Sequence, residues 1–205
     1  MKTIEVYEGT LEAQPGKVYP YERVDGCLVL TGADAGTSFP RLVEVRGGGV
    51  SVGDGADVRE CFPRLSRVDG DVYIEDEDTR AAFPRLRVVR GKVYVRGADT
   101  RTAFPALERV GGDLTADDED TRTSFPALEV VGGDLEVSHA DIGGALPSLR
   151  SVRGDVYAIW RSKDVVFPAL ERVCGDLRYG HDSRDHMFPR LKYIGGSILP
   201  LPPSC

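Results

Sequence analysis

The chain lacks most features that mark membrane proteins and enzymes. No stretch approaches the roughly 18 apolar residues that a spanning helix needs, and Met1-Lys2-Thr3-Ile4-Glu5-Val6 has no apolar core of a secretory leader. A soluble, cytoplasmic protein is therefore expected. The four cysteines, Cys27, Cys61, Cys174 and Cys205, lie far apart with no C-x-x-C pair, so neither a disulfide nor a zinc site is expected. Phosphate-cradling glycine motifs and the H-E-x-x-H zinc signature are missing. The three histidines, His139, His181 and His186, have no Ser or Cys partner in a distinctive motif. Only His181-Asp182-Ser183-Arg184-Asp185-His186 has the composition of a triad or metal site, and its two histidines are five apart in an expected turn. The reading is of a protein without catalytic residues, cofactor or metal. No apolar run has helical spacing either, which leaves strands as the main element.

What the chain has instead is repetition. Aromatic-proline openings fall at Phe39, Phe62, Phe83, Phe104, Phe125, Phe167 and Phe188, with Leu146-Pro147 filling the one gap, so the step from Phe62 onward is 21 residues. A fixed period in this range signals a solenoid, in which each repeat buries its apolar face against its neighbours. In the unit opening at Phe83, Leu86, Val89, Gly91, Val93 and Val95 recur at fixed places, and Val93 and Val95 flank Tyr94 as a half-buried strand requires. Proline at the second place and glycine at the ninth punctuate each unit. Two short strands per rung follow, here about Leu86 to Val89 and Lys92 to Val95, with a bend at Gly91.

The fold class is thus mostly β, a parallel solenoid of about nine 21-residue rungs, capped at both ends and roughly 43 Å long at the usual strand spacing. Residues 1–17 form an N-terminal capping segment, 18–199 a single solenoid domain, and 200–205 a proline-rich end. The first rung is degenerate and begins at Val18. The Phe39 rung carries two extra residues, one in Gly47-Gly48-Gly49 and one before Cys61, which predicts a bulge or wider corner.

Units such as Phe104-Pro-Ala-Leu-Glu-Arg-Val-Gly-Gly-Asp-Leu and Phe125-Pro-Ala-Leu-Glu-Val-Val-Gly-Gly-Asp-Leu resemble the atypical leucine-rich repeats of bacterial and phage proteins and are similar to receptor L-domain repeats. The resemblance covers about residues 18 to 199. It implies a right-handed, leucine-rich-repeat-like β-solenoid that binds another macromolecule through a sheet face or its edge loops. The unit is short and lacks a regular Asn after the strand, which departs from the helix-lined form of the repeat.

Function is sought on outward positions, since inward ones build the rod. At the fifteenth place successive rungs carry Asp76, Gly97, Asp118, His139, Trp160 and His181, so the one Trp stands between two His. Around it Tyr157, Ile159 and Arg161 put apolar and basic groups where other rungs place acids. Trp, Tyr and Arg dominate protein interfaces, and His139, Tyr157, Ile159, Trp160, Arg161 and His181 are the expected partner-binding set, the partner being another protein. The alternative for the same surface is local cover of the core. A seventeenth-place column, Asp57 among it, is read as carboxylates accepting hydrogen bonds in their own turns, with stacked calcium sites as the alternative.

A further ladder is acidic. Glu75, Asp76, Asp117, Asp118 and Glu119, with Asp71, Asp113, Asp134, Asp155 and Asp176 after the bend glycine, are read as solvated turns or as a nucleic-acid mimic. The mimic reading, with the resemblance to phage proteins, gives the second function class: an acidic inhibitor or decoy that occupies a nucleic-acid-binding protein. With 26 Lys and Arg against 33 Asp and Glu, a formal charge of −7, direct binding of nucleic acid or an anionic membrane is not expected.

Overall fold

The computed structural model describes residues 4–32, 36–53, 55–75, 79–96, 102–117, 124–138, 146–159, 166–180 and 184–200. Short strands alternate between two sheets along the chain, and all strand pairings are parallel. In the Phe83 unit the strands are Val88–Val89 and Val93–Arg96, joined through the bend at Gly91. The first sheet runs in chain order from Val6–Glu8 to Tyr193–Ile194, the second from Leu11–Glu12 to Ile198–Pro200. Each strand therefore pairs with the equivalent strand one turn on, as the 21-residue period requires. The protein is a parallel β-solenoid.

Each sheet has 10 strands, one more than nine rungs supply, because the capping segment contributes a strand to each. The cap thus pairs the edge that would otherwise expose unpaired N–H and C=O groups.

The inside is a set of single-residue ladders. The rings of Phe39, Phe62, Phe83, Phe104 and Phe125 stack 5.0 to 5.3 Å apart, Leu146 is buried in the gap, and Phe167 stacks on Phe188 at 5.2 Å. Beside them run Leu65, Leu86 and Leu107, then Val68, Val89 and Val110, then Val93 and Val95 on the second sheet, all buried. Burying one such side chain stabilises by roughly 1.5–3 kcal/mol, and every rung repeats the set.

At the first rung the expected opening at Val18 is corrected. The Val18 backbone bridges Ser38, but its side chain is 60% exposed, whereas Tyr19 is 2% exposed and stacks on Phe39 at 4.6 Å. Aromatic area decides the place: the larger ring continues the column. Its hydroxyl accepts the Gln14 N–H at 2.7 Å, so its polar end is satisfied as well.

The Phe39 rung holds its extra residues where expected. Val45 pairs with Val68 and Val50 with Val72, leaving four residues against three across the bend. Gly47 absorbs the excess at φ +68, a left-handed conformation that suits glycine. The turn from His181 to His186 is not wholly irregular, because Arg184–Met187 forms one helical turn, the one helix among the described residues. It buries Met187 at the place of Cys61, Ala82 and Ala103 and leaves His186 exposed. At the far end Tyr193, Ile198 and Leu199 are exposed. Residues 201–205, with Pro202 and Pro203, lie outside the described residues.

Candidate functional site

The outward face of the second sheet carries one column in strict register: Val29, Ser51, Tyr73, Tyr94, Thr115, Glu136, Tyr157 and Arg178. Side chains one rung apart on this face stand close enough to interact. The rings of Tyr73 and Tyr94 lie 4.7 Å apart and within 4° of parallel. Tyr73 is 39% exposed, and its hydroxyl donates to the Glu75 carboxylate at 3.0 Å. That bond, together with the negative charge it brings near, pushes the Tyr73 phenol above its ordinary pKa, so the group stays a neutral donor. Tyr157 repeats the arrangement with Asp155 at 3.1 Å and is shifted the same way. The Arg178 guanidinium sits over the Tyr157 ring, 5.1 Å from its centre. These tyrosines are held at both ends, which makes them rigid contact residues with little rotamer freedom left to lose.

Beside Tyr73 the face steps down. Val29 and Ser51 stand where the next rungs have tyrosines, and the bend carries Gly48, Gly49 and Gly70. The result is a shallow cleft of about 420 Å³, walled by Tyr73 and Asp71 and reaching the exposed Cys27. Glycine is required at its floor. A Cβ on Gly48 would lie 2.4 Å from the Gly26 carbonyl oxygen, and one on Gly49 2.2 Å from that of Asp71.

The aspartates after the bend glycine are exposed or half-buried, as solvated turns would be, and each also engages the next rung through one carboxylate oxygen. Asp71 Oδ1 accepts the Lys92 N–H at 2.7 Å, Asp113 that of Asp134 at 2.9 Å, and Asp134, Asp155 and Asp176 those of Asp155, Asp176 and Ser197, each at 2.7 Å. Each carboxylate thus binds the backbone of the following rung. Lys92 replaces the aspartate in one rung and meets Asp113 Oδ2 at 2.6 Å instead, which holds the Asp113 carboxyl below its ordinary range and the Lys92 ammonium above its own.

Of the expected partner-binding residues, Tyr157 lies on the tyrosine column and Ile159 ends the strand Val156–Ile159. His139, Trp160, Arg161 and His181 lie outside the described residues. In the expected acidic ladder, Glu75 and Asp117 sit on either side of Arg96 in the sheet register; the Tyr94 hydroxyl is the main group that favours the charged form of Arg96 and the two carboxylates add to it, while Asp76, Asp118 and Glu119 lie outside the described residues. Asp57 accepts from Arg59 at 2.6 and 2.9 Å, the within-turn bonding expected of its column, and these bonds lower its pKa. The other members, Asp34, Asp78, Asp99, Asp120 and Asp141, lie outside the described residues. Among the described residues no group of three or more His, Cys, Asp or Glu side chains could hold a metal ion, and no helix is long and apolar enough to cross a membrane.

Sequence reasoning missed the cleft and the backbone-binding role of the aspartates. The signal for the second was present: an Asp placed directly after an unvarying Gly at 21-residue spacing is a structural pair. The cleft had a weaker mark, the loss of the twelfth-place tyrosine at Val29 and Ser51. Comparison with protein families, with characterised proteins and with solved structures gives no match for this chain.

Proposed function

We propose that this protein is a non-enzymatic scaffold that docks another protein on the outward face of its second sheet. The observation that carries the reading is the stacked Tyr73–Tyr94 pair standing over an apolar cleft floored by glycine. A rigid aromatic ridge beside a pocket is the arrangement that concentrates binding energy at interfaces. Tyr157 lies four rungs along the same column, about 19 Å away at the usual strand spacing. The face from Cys27 to Tyr157 is long enough for the ~800 Å² per partner of a standard interface. Glu75 beside this face is bonded to Tyr73, and Asp134 and Asp155 are bonded to the backbone of the next rung, which favours this reading over an acidic decoy.

The test is affinity capture with wild type, Tyr73→Ala and Trp160→Ala at low and raised salt, followed by titration of each retained protein in purified form. A partner that binds wild type and loses ~2 kcal/mol or more of affinity with Tyr73→Ala supports the face. A partner indifferent to both substitutions and released by salt would identify the acidic rungs as the functional surface.

A further inference from the structure

We propose that the outward flank of the first sheet, centred on Arg64, Arg85, Arg87, Arg90 and Arg109, binds an acidic polypeptide segment. This surface is separate from the tyrosine face and does not depend on it. Between the third and eighth places of the rungs opening at Phe62, Phe83 and Phe104 the chain sets six arginines, these five and Arg67, against two carboxylates, Asp69 and Glu108. That local excess of positive charge stands in a chain of formal charge −7. The register puts Arg67, Val88 and Arg109 side by side, and backbone bonds from Arg87 to Ser66 and from Glu108 to Arg87 bring the neighbouring places together. The patch spans three rungs, their short first-sheet strands and the turns that lead into them, about 10 Å along the stack.

The third-place arginines belong to the same flank. Arg41, which holds that place in the preceding rung, reaches Glu22 and, at 3.3 Å, Glu5, both at the fifth place of earlier layers. Arg64 and Arg85 occupy the equivalent position. The two carboxylates are already used: Asp69 pairs with Arg67 at 2.8 Å and with Arg90 at 3.5 Å, and Glu108 pairs with Arg87 at 2.5 Å. Arg64, Arg85 and Arg109 are exposed and make no side-chain ion pair or hydrogen bond among the described residues. Guanidinium groups fork onto carboxylates with two parallel bonds, so three such guanidiniums on adjacent rungs, Arg64 and Arg85 in the turns and Arg109 in its strand, suit a run of Asp or Glu.

The surroundings select polypeptide over nucleic acid. No aromatic side chain lies between the third and eighth places of these three rungs, so there is no platform on which bases stack. The acidic remainder of the molecule also repels a long polyanion, while a short acidic segment meets mainly the local field.

The experiment uses the full chain, with fluorescence anisotropy of a labelled oligoglutamate of about ten residues and of an oligothymidylate of similar charge, at about 50 and about 300 mM NaCl. Wild type is compared with the triple variant R64Q/R85Q/R109Q and with Tyr73→Ala, and circular dichroism verifies that each is folded. The expected result is saturable binding of oligoglutamate at low salt, weakened about tenfold or more in the triple variant and unchanged in Tyr73→Ala. Absence of oligoglutamate binding, or equal binding by the triple variant, overturns the proposal. Tighter binding of the oligothymidylate overturns it in favour of nucleic acid. The docking reading of the second sheet stands or falls separately, on Tyr73.

Discussion

Asp134 Oδ1 accepts the backbone N–H of Asp155 at 2.7 Å, and the Cβ that Gly154 lacks would fall 2.0 Å from that same oxygen. The glycine and the aspartate of successive rungs are therefore one device: the missing side chain makes room for the carboxylate that ties the rungs together.

Gly154→Ala is expected to destabilise by about 1–3 kcal/mol or more, because the new methyl meets both Asp134 Oδ1 and, at 2.7 Å, the Gly133 carbonyl carbon. Asp134→Ala, which removes one hydrogen bond, should cost about 1 kcal/mol. Combined, the two should cost less than their sum, since the oxygen is then absent; the Gly133 contact remains. Gly53→Ala, with nothing within 4 Å of its Cβ position, is the control and should be neutral or slightly stabilising. Urea denaturation of the four variants decides whether glycine and aspartate are coupled.

Phe104→Ala should destabilise by about 3–5 kcal/mol, because Phe104 is fully buried and stacks on Phe83 at 5.0 Å and on Phe125 at 5.2 Å. Phe104→Leu should cost less, since Leu146 already occupies the same column. Equal losses for the two would show that ring stacking rather than volume sets the energy.

Cys61 should resist thiol reagents under native conditions while Cys27 and Cys174 react. Burial pushes the Cys61 thiol up to about 12, whereas the other two are exposed. The sign for stability follows: above pH about 9 the unfolded thiol ionises and the folded one does not, so this group favours unfolding as pH rises past that point. Alkylation in native buffer followed by peptide mass mapping gives the reactivity order, and early modification of Cys61 would contradict the burial.

The Lys92–Asp113 pair has a defined pH signature. Lowering of the Asp113 pKa means that its contribution is fully present above the ordinary aspartate value of 3.8 and is lost as pH falls through the lowered value. Lys92→Met should reduce stability at neutral pH, and the difference from wild type should shrink toward zero in strong acid. Urea midpoints of both proteins across the acid range measure this, and a constant offset would assign the loss to packing instead.

The repeat made much of the fold legible. Val93 and Val95 around Tyr94 placed the second-sheet strands to within a residue, and the triple glycine at Gly47 to Gly49 marked the wider corner, because those patterns report local geometry directly. Val18 was misread because the 21-residue count alone fixed the opening, and counting cannot register that a neighbouring tyrosine has more ring area to bury. For the candidate site, Tyr157 and its strand were legible, but the pairing of Tyr73 with Glu75 and the step at Ser51 depend on which side chains become neighbours across rungs. The aspartates were read by their charge, whereas their role comes from the position of the next rung's amide.

From Val72 onward the register advances by 21 residues at each step, Val72 on Val93 on Leu114 on Leu135. Excising residues 104–124 therefore brings Phe125 to the place beside Phe83 with every inward and outward position preserved. The length of the rod is in this sense a genetic variable: recombination between two rungs of the coding sequence can lengthen or shorten the protein without inventing a new fold, and the distance between two surface features becomes adjustable in steps of one strand.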